Sequence, residues 1–171
     1  MNDNIGKTRV VKIGDIYWVD FNGTGSEQKG RRPALIVQND MGNKYSPTLK
    51  VIPITTKTKK PSPTHVNVPI GNGLKQESTL LCEQETVCDR SKLGDYIGTL
   101  TDNKNILKQT AIAMAISTPL IKYMGQEELL NLQKKLSSQD SYNRSRYTTN
   151  PIFNTDSFSL HNSCNRVTVP C

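Results

Sequence analysis

The apolar residues of this chain change period once, near residue 100, and that change bounds what it can fold into. Upstream, short segments rich in β-branched and aromatic residues are separated by Gly, Pro, Asn and Ser: IGDIYWVDF, ALIVQ, LKVIPITT, HVNVPI, STLLCEQ, TVC and GDYIGTL. Strands of this length and spacing predict a mainly β fold, a small and strongly bent antiparallel sheet or barrel. Downstream, NKNILKQTAIAMAIS sets Ile106, Ala113 and Ile116 near one face of a helix, with Thr101 or Asp102 to cap it and Pro119 to stop it. A second helical segment, QEELLNLQKKL, carries Glu127 and Glu128 at its start and Lys134 and Lys135 at its end, the polarity that suits a helix dipole. Leu129, Leu132 and Leu136 form a stripe expected to lie against the body.

Within the β region, ALIVQ is a continuous apolar run, as expected for a strand buried on both faces. Pro33 is suited to a strand's first position, where no N–H is needed, and Pro53 points to an edge or a bulge in LKVIPITT. NGTGSEQKGRR, NDMGNKYSPT and KTKKPSP read as loops, and G-N-G at 71 to 73 as a turn. The expected organisation is an N-terminal arm over 1–11, the barrel over 12–120, an additional helix over 121–136 and a tail over 137–171. Sixteen of the last 35 residues are Ser, Thr or Asn without a sustained period, so that tail is expected to be disordered.

No stretch approaches the apolar length a membrane helix needs, and the first residues hold no apolar core of a secretory signal, so a cytoplasmic location is expected. Cys82, Cys88, Cys164 and Cys171 form no C-x-x-C pair, and His65 and His161 are the only histidines. Zinc sites need close ligand pairs. Reduced, structural thiols are therefore expected, with no metal and no cofactor.

Charge is concentrated. The net charge is +7, and eight basic residues against the single acid Asp40 lie between Lys29 and Lys60, so that stretch holds the whole excess. A basic stretch of this density favours a polyanion, nucleic acid being the commonest. GxxxxGKS/T and GxSxG motifs are absent, which removes the P-loop and the nucleophile elbow. What remains is basic and hydroxylic. Ser26, Glu27, Gln28, Lys29, Arg31 and Arg32 crowd the first loop, and Thr55, Thr56 and Lys57 end the third strand. If the second and third strands pair antiparallel, Arg32 meets Thr55 at one edge of the sheet. A guanidinium is a poor base but holds the charge that builds on a pentacoordinate phosphorane. RNA brings its own nucleophile in the 2′-OH, so alignment and charge stabilisation suffice for cleavage. The same residues would also serve phosphate binding without cleavage.

Read in order, GDIYWVDF, GSEQKGRRPALIVQND, YSPTLKVIPIT and PTHVNV resemble the MazF/PemK family of toxin endoribonucleases from toxin–antitoxin modules, over Lys12 to Ser117. The resemblance implies an SH3-like barrel of the CcdB/MazF kind and a homodimer with single-stranded RNA lying in a groove. It also implies an mRNA interferase that works without a metal ion and a cognate antitoxin that fills the basic groove with an acidic segment. The family's catalytic arginine falls on Arg32 and its threonine on Thr55. Ser26, Glu27, Gln28, Lys29, Arg31, Thr56, Lys57 and Gln84 would contact RNA. His65 in P-T-H-V invites a general-base role because histidine titrates near neutrality, although a lone histidine opening a strand more often serves structure. Trp18 and Tyr17 are suited to stacking bases, but first-strand aromatics are expected in the core.

Where many relatives read E-Q-I-R-T-I-D, this chain has Glu83-Gln84-Glu85-Thr86-Val87-Cys88-Asp89. Thr86 replaces an arginine and Glu85 an apolar residue, changes expected to weaken or redirect RNA binding. Two alternatives share the barrel: a gyrase-poisoning toxin and a non-cleaving RNA-binding module.

Overall fold

The computed structural model describes residues 9–57 and 60–148; the expected arm before residue 9, Lys59 and the tail beyond 148, with Cys164 and Cys171, lie outside the described residues. The chain divides into two units, Met1–Tyr123 and Met124–Cys171.

The first unit is a seven-stranded antiparallel sheet: β1 (Asp15–Asn22), β2 (Lys29–Ile36), β3 (Thr48–Thr55), β4 (His65–Val68), β5 (Ser78–Leu81), β6 (Thr86–Asp89) and β7 (Leu93–Thr99). The order is β4-β5-β3-β2-β1-β7, and β6 also pairs with β3. Helix α1 (Asp40–Tyr45) sits between β2 and β3, and α2 (Lys104–Ser117) follows β7. The mainly β expectation and its seven strands are therefore realised.

Both faces of the central strands are buried, which is why ALIV is apolar throughout. Ile16, Leu35 and Ile52 pack on one side with Val66, Leu80 and the α2 residues Ile106 and Ala113. Tyr17, Val19, Ala34, Ile36, Val51 and Cys88 pack on the other, joined by Val11 from the N-terminal segment.

Several boundaries differ from the sequence expectation. β2 begins at Lys29, not at Pro33, because its ladder to β1 runs on from Ile16↔Leu35 to Asn22↔Lys29 through residues with no apolar signal. Lys29, Arg31 and Arg32 thus lie on a strand rather than in a loop. Pro53 is neither edge nor bulge: β3 pairs with β6 up to Val51 and with β5 from Ile54, so the proline falls where one flanking partner gives way to the other. NDMGNKYSPT contains α1, whose cap is Asn39, accepting from Gly42 N at 2.8 Å. Asn103, not Thr101 or Asp102, caps α2 through Ile106 N at 3.3 Å. STLLCEQ leaves the sheet at Leu81 and becomes a 3₁₀ turn over Cys82–Gln84.

The two ends of the sheet meet through a glycine contact. A Cβ on Gly98 of β7 would lie 1.9 Å from Asn72 O, and one on Gly73, whose φ is +85°, the same distance from Ile97 O. The G-N-G turn after β4 therefore rests backbone to backbone on β7.

The second unit contains α3 (Gln126–Thr148), which extends past the expected end at residue 136. Along it Leu132 and Leu136 of the expected stripe are exposed and Leu129 is half-buried. Among the described residues no helix is long and apolar enough to cross a membrane.

Gly98→Ala should lower stability by about 1–3 kcal/mol, the usual cost of overpacking, read as a fall in the urea midpoint. An unchanged midpoint would mean the 71–74 turn yields freely.

Candidate active site

β2 and β3 pair antiparallel as far as Ala34↔Pro53, two residues short of Arg32 on one strand and of Thr55 on the other. Both side chains line one cleft of about 670 Å³, together with Trp18, Arg31, Lys57 and Lys75. Among the described residues, four basic side chains and no acid line it. The sequence expectation that strand pairing brings residues 32 and 55 together matches this placement.

Arg32 is held from the loop side. Its Nη2 donates to Lys29 O at 2.8 Å and its Nη1 donates to Gln28 Oε1. Nε is buried without a partner. Thr55 is 8% exposed, and its Oγ1 accepts the Lys57 N–H at 3.2 Å. Its hydroxyl hydrogen is left to donate.

Arg31 faces the same cleft differently. Its Nη2 pairs with Asp95 at 2.9 Å, and its guanidinium lies 5.7 Å from the Trp18 ring centre. Both members of that ion pair are exposed, so it contributes little stability and leaves Arg31 free to exchange partners. Thr56 and Lys57 are exposed at the rim.

Trp18 corrects an expectation. Tyr17 is buried in the core as expected, but Trp18 is 36% exposed and lines the cleft, as does Tyr96 of β7. The signal was present in the alternation: Trp18 shares parity with exposed Asp20, whereas Tyr17 shares it with buried Val19 and Phe21. Lys75 and Tyr96 were not anticipated. They reach the cleft through the turn resting on β7, a long-range contact with no local signature.

A second cleft, of about 510 Å³, is lined by Ser26, Glu27, Gln28, Glu83, Gln84, Glu85 and Thr86. Glu27 Oε2 accepts the Thr24 N–H at 2.8 Å, closing the β1–β2 turn. Gln28 Nε2 donates to Gln84 Oε1. Lys29 is exposed and pairs with Asn22 across the hairpin. Glu83 meets His65 Nε2 at 3.2 Å and Glu85 meets Lys50 at 2.5 Å. His65 is fixed at its other nitrogen by Lys60 O at 3.2 Å and lines neither cleft.

Behind the second cleft, Cys82 is buried, and burial together with Glu83 and Glu85 pushes its thiol up to about 11. Because the folded value exceeds the unfolded one, this group's contribution to stability is intact below about pH 9 and lost as pH climbs towards 11. At pH 8 the buried thiol is held in its protonated, unreactive form.

The fold and cleft define a small antiparallel barrel carrying a cationic, aromatic-walled groove at the junction of two central strands. Residues 12–120 match the PemK-like, MazF-like toxins of type II toxin–antitoxin systems, and the chain belongs to that family. It is 39% identical over 117 residues to endoribonuclease EndoA of Bacillus subtilis, covering 67% of this chain and 99% of that protein. It is 40% identical over 114 residues to endoribonuclease MazF of Staphylococcus saprophyticus, covering 65% of this chain and 93% of that one. The crystal structure of Deinococcus radiodurans MazF has the same fold, with a TM-score of 0.58 at 23% identity over 66% of this chain and 99% of that one. So does a mycobacterial endoribonuclease solved in complex with its cognate antitoxin, with a TM-score of 0.53 at 24% identity over 64% and 96%.

Native Cys82 should resist iodoacetamide at pH 8 and become alkylated only on unfolding, as read by peptide mass spectrometry. Labelling at the rate of the unfolded chain would contradict its burial.

Proposed function

We propose that this chain is an endoribonuclease toxin that cuts single-stranded mRNA at a short sequence, acts as a homodimer and is silenced by a cognate antitoxin. The observation that carries the reading is the juxtaposition of Arg32 and Thr55 in one cationic cleft, in a chain 39% identical to a named endoribonuclease. Exposed Ile112 and Ile116, one turn apart on α2, favour self-association. The dense positive charge of the cleft suits an acidic antitoxin segment as well as RNA.

The chemistry follows from what the cleft offers. The ribose 2′-oxygen attacks the adjacent phosphorus and loses its proton; the P–O5′ bond breaks and O5′ gains a proton. The products are a 2′,3′-cyclic phosphate and a 5′-OH, with no water consumed and no metal ion required. Arg32 neutralises the charge that accumulates on the phosphorane, where a fixed cation matters most. Thr55 donates its hydroxyl hydrogen to a non-bridging oxygen and holds the phosphate in line. Arg31, Thr56 and Lys57 take flanking phosphates, contacts that set affinity rather than sequence. Trp18, half-exposed in the cleft, offers a face on which a base stacks.

The test is incubation of the purified protein with a long unstructured RNA in EDTA, with the 5′ ends mapped. Discrete cuts bearing 5′-OH are expected; binding without cuts would make the protein a non-cleaving RNA-binding module, and neither binding nor cuts would favour a protein target. Arg32→Ala should slow cleavage by about 10² to 10⁴, the scale of one oriented charge stabiliser. Thr55→Val should lose most activity with the fold intact. Wild-type turnover in either variant would remove that residue from the mechanism.

A further inference from the structure

Arg32 is the end of a hydrogen-bonded chain that starts in a different element. Gln84, at the end of the 3₁₀ turn, accepts from Gln28 Nε2, and Gln28 Oε1 in turn accepts from Arg32 Nη1. The direction of this chain matters because a glutamine amide has two unlike ends. With Gln84 taking the nitrogen end, the oxygen end of Gln28 must face the guanidinium. Without Gln84, the amide is free to turn its NH₂ towards Arg32, where donor would meet donor. Gln84 therefore fixes which end of Gln28 Arg32 meets.

The consequence for Arg32 is geometric. An arginine side chain has four flexible torsions, and an unheld guanidinium samples many positions above a strand. Gln28 Oε1 and Lys29 O together take one donor from each terminal nitrogen, leaving the orphan Nε and the remaining Nη protons. The clamp is also shared between sites: Gln28 and Gln84 line the second cleft, whereas Arg32 lines the first.

We propose that Gln28 and Gln84 are positioning residues, a relay that aims the Arg32 guanidinium into the first cleft from the wall of the second. The proposal rests on the reading of Arg32 as the charge stabiliser, and it gives both glutamines a role other than direct RNA contact. Whatever seats against the two amides in the second cleft then alters turnover in the first.

The experiment is RNA cleavage kinetics on a single-site oligonucleotide, in the wild-type and Arg32→Ala backgrounds, with the unfolding midpoint of each variant recorded. Gln84→Met removes the acceptor at similar volume and should lower kcat by about 5- to 20-fold with KM within about threefold, the signature of misaimed catalytic machinery. Gln84→Glu keeps an acceptor for Gln28 Nε2 and should return kcat to within about threefold of wild type. Gln28→Met should lower kcat at least as much as Gln84→Met, and combining the two should add little. In the Arg32→Ala background each glutamine substitution should change the residual rate by less than about twofold. A rise in KM with kcat unchanged, no rescue by glutamate, or an undiminished effect without Arg32 would each overturn the relay. Full activity of Arg32→Ala alone would instead sink the underlying assignment, and the two failures are told apart by that single variant.

Discussion

Three backbone pairs, Ala34↔Pro53, Leu35↔Ile52 and Ile36↔Val51, tie β2 to β3, and the cleft depends on them. A slip of one residue would exchange the two faces of β2 and carry Arg32 away from Thr55. Apolar alternation does not prevent such a slip here, because residues 34 to 36 are buried on both faces. The register is held instead by features on either side. In β1, alternation is strict from Tyr17 to Asn22, and the ladder to β2 closes on a hairpin whose Gly23 N–H donates to Gln28 O at 2.9 Å. In β3, Pro53 lacks an N–H and fits where the flanking partner changes from β6 to β5.

This explains which parts of the molecule were legible in the sequence. Strands with apolar content announced themselves, and so did α2, whose buried Ile106, Thr110 and Ala113 keep helical spacing. The first half of β2 did not, because Lys29 to Arg32 are strand only by virtue of β1 beside them. Helix α1 is six residues long, too short for a period to show, although Asn39 was a readable cap. The Arg32–Thr55 pairing was legible because it needs only two adjacent antiparallel strands. The other wall of the cleft was not. Lys75 and Tyr96 arrive there through the glycine contact between the 71–74 turn and β7, and contacts of that range leave no trace in local pattern.

The two clefts differ in sign, and that difference bears on the departures at 85 and 86. Glu85 adds a carboxylate where RNA was expected to run, but its charge is met at 2.5 Å by Lys50 from the neighbouring strand. Glu83 is hydrogen-bonded to His65 and Glu27 to the Thr24 N–H. Only Glu85 is met by a cation; each of the three acids has a local partner, and their reach through water beyond about 10 Å is screened at ordinary salt. Within the second cleft itself they still oppose any phosphate brought to contact, since like charges about 4 Å apart repel by roughly 1 kcal/mol even in bulk water and more near a protein wall. The first cleft, lined by four cations and, among the described residues, by no acid, is the one whose charge favours a phosphate path. The second cleft is left for uncharged groups able to meet amides and hydroxyls, and its contacts reach the first through Gln28.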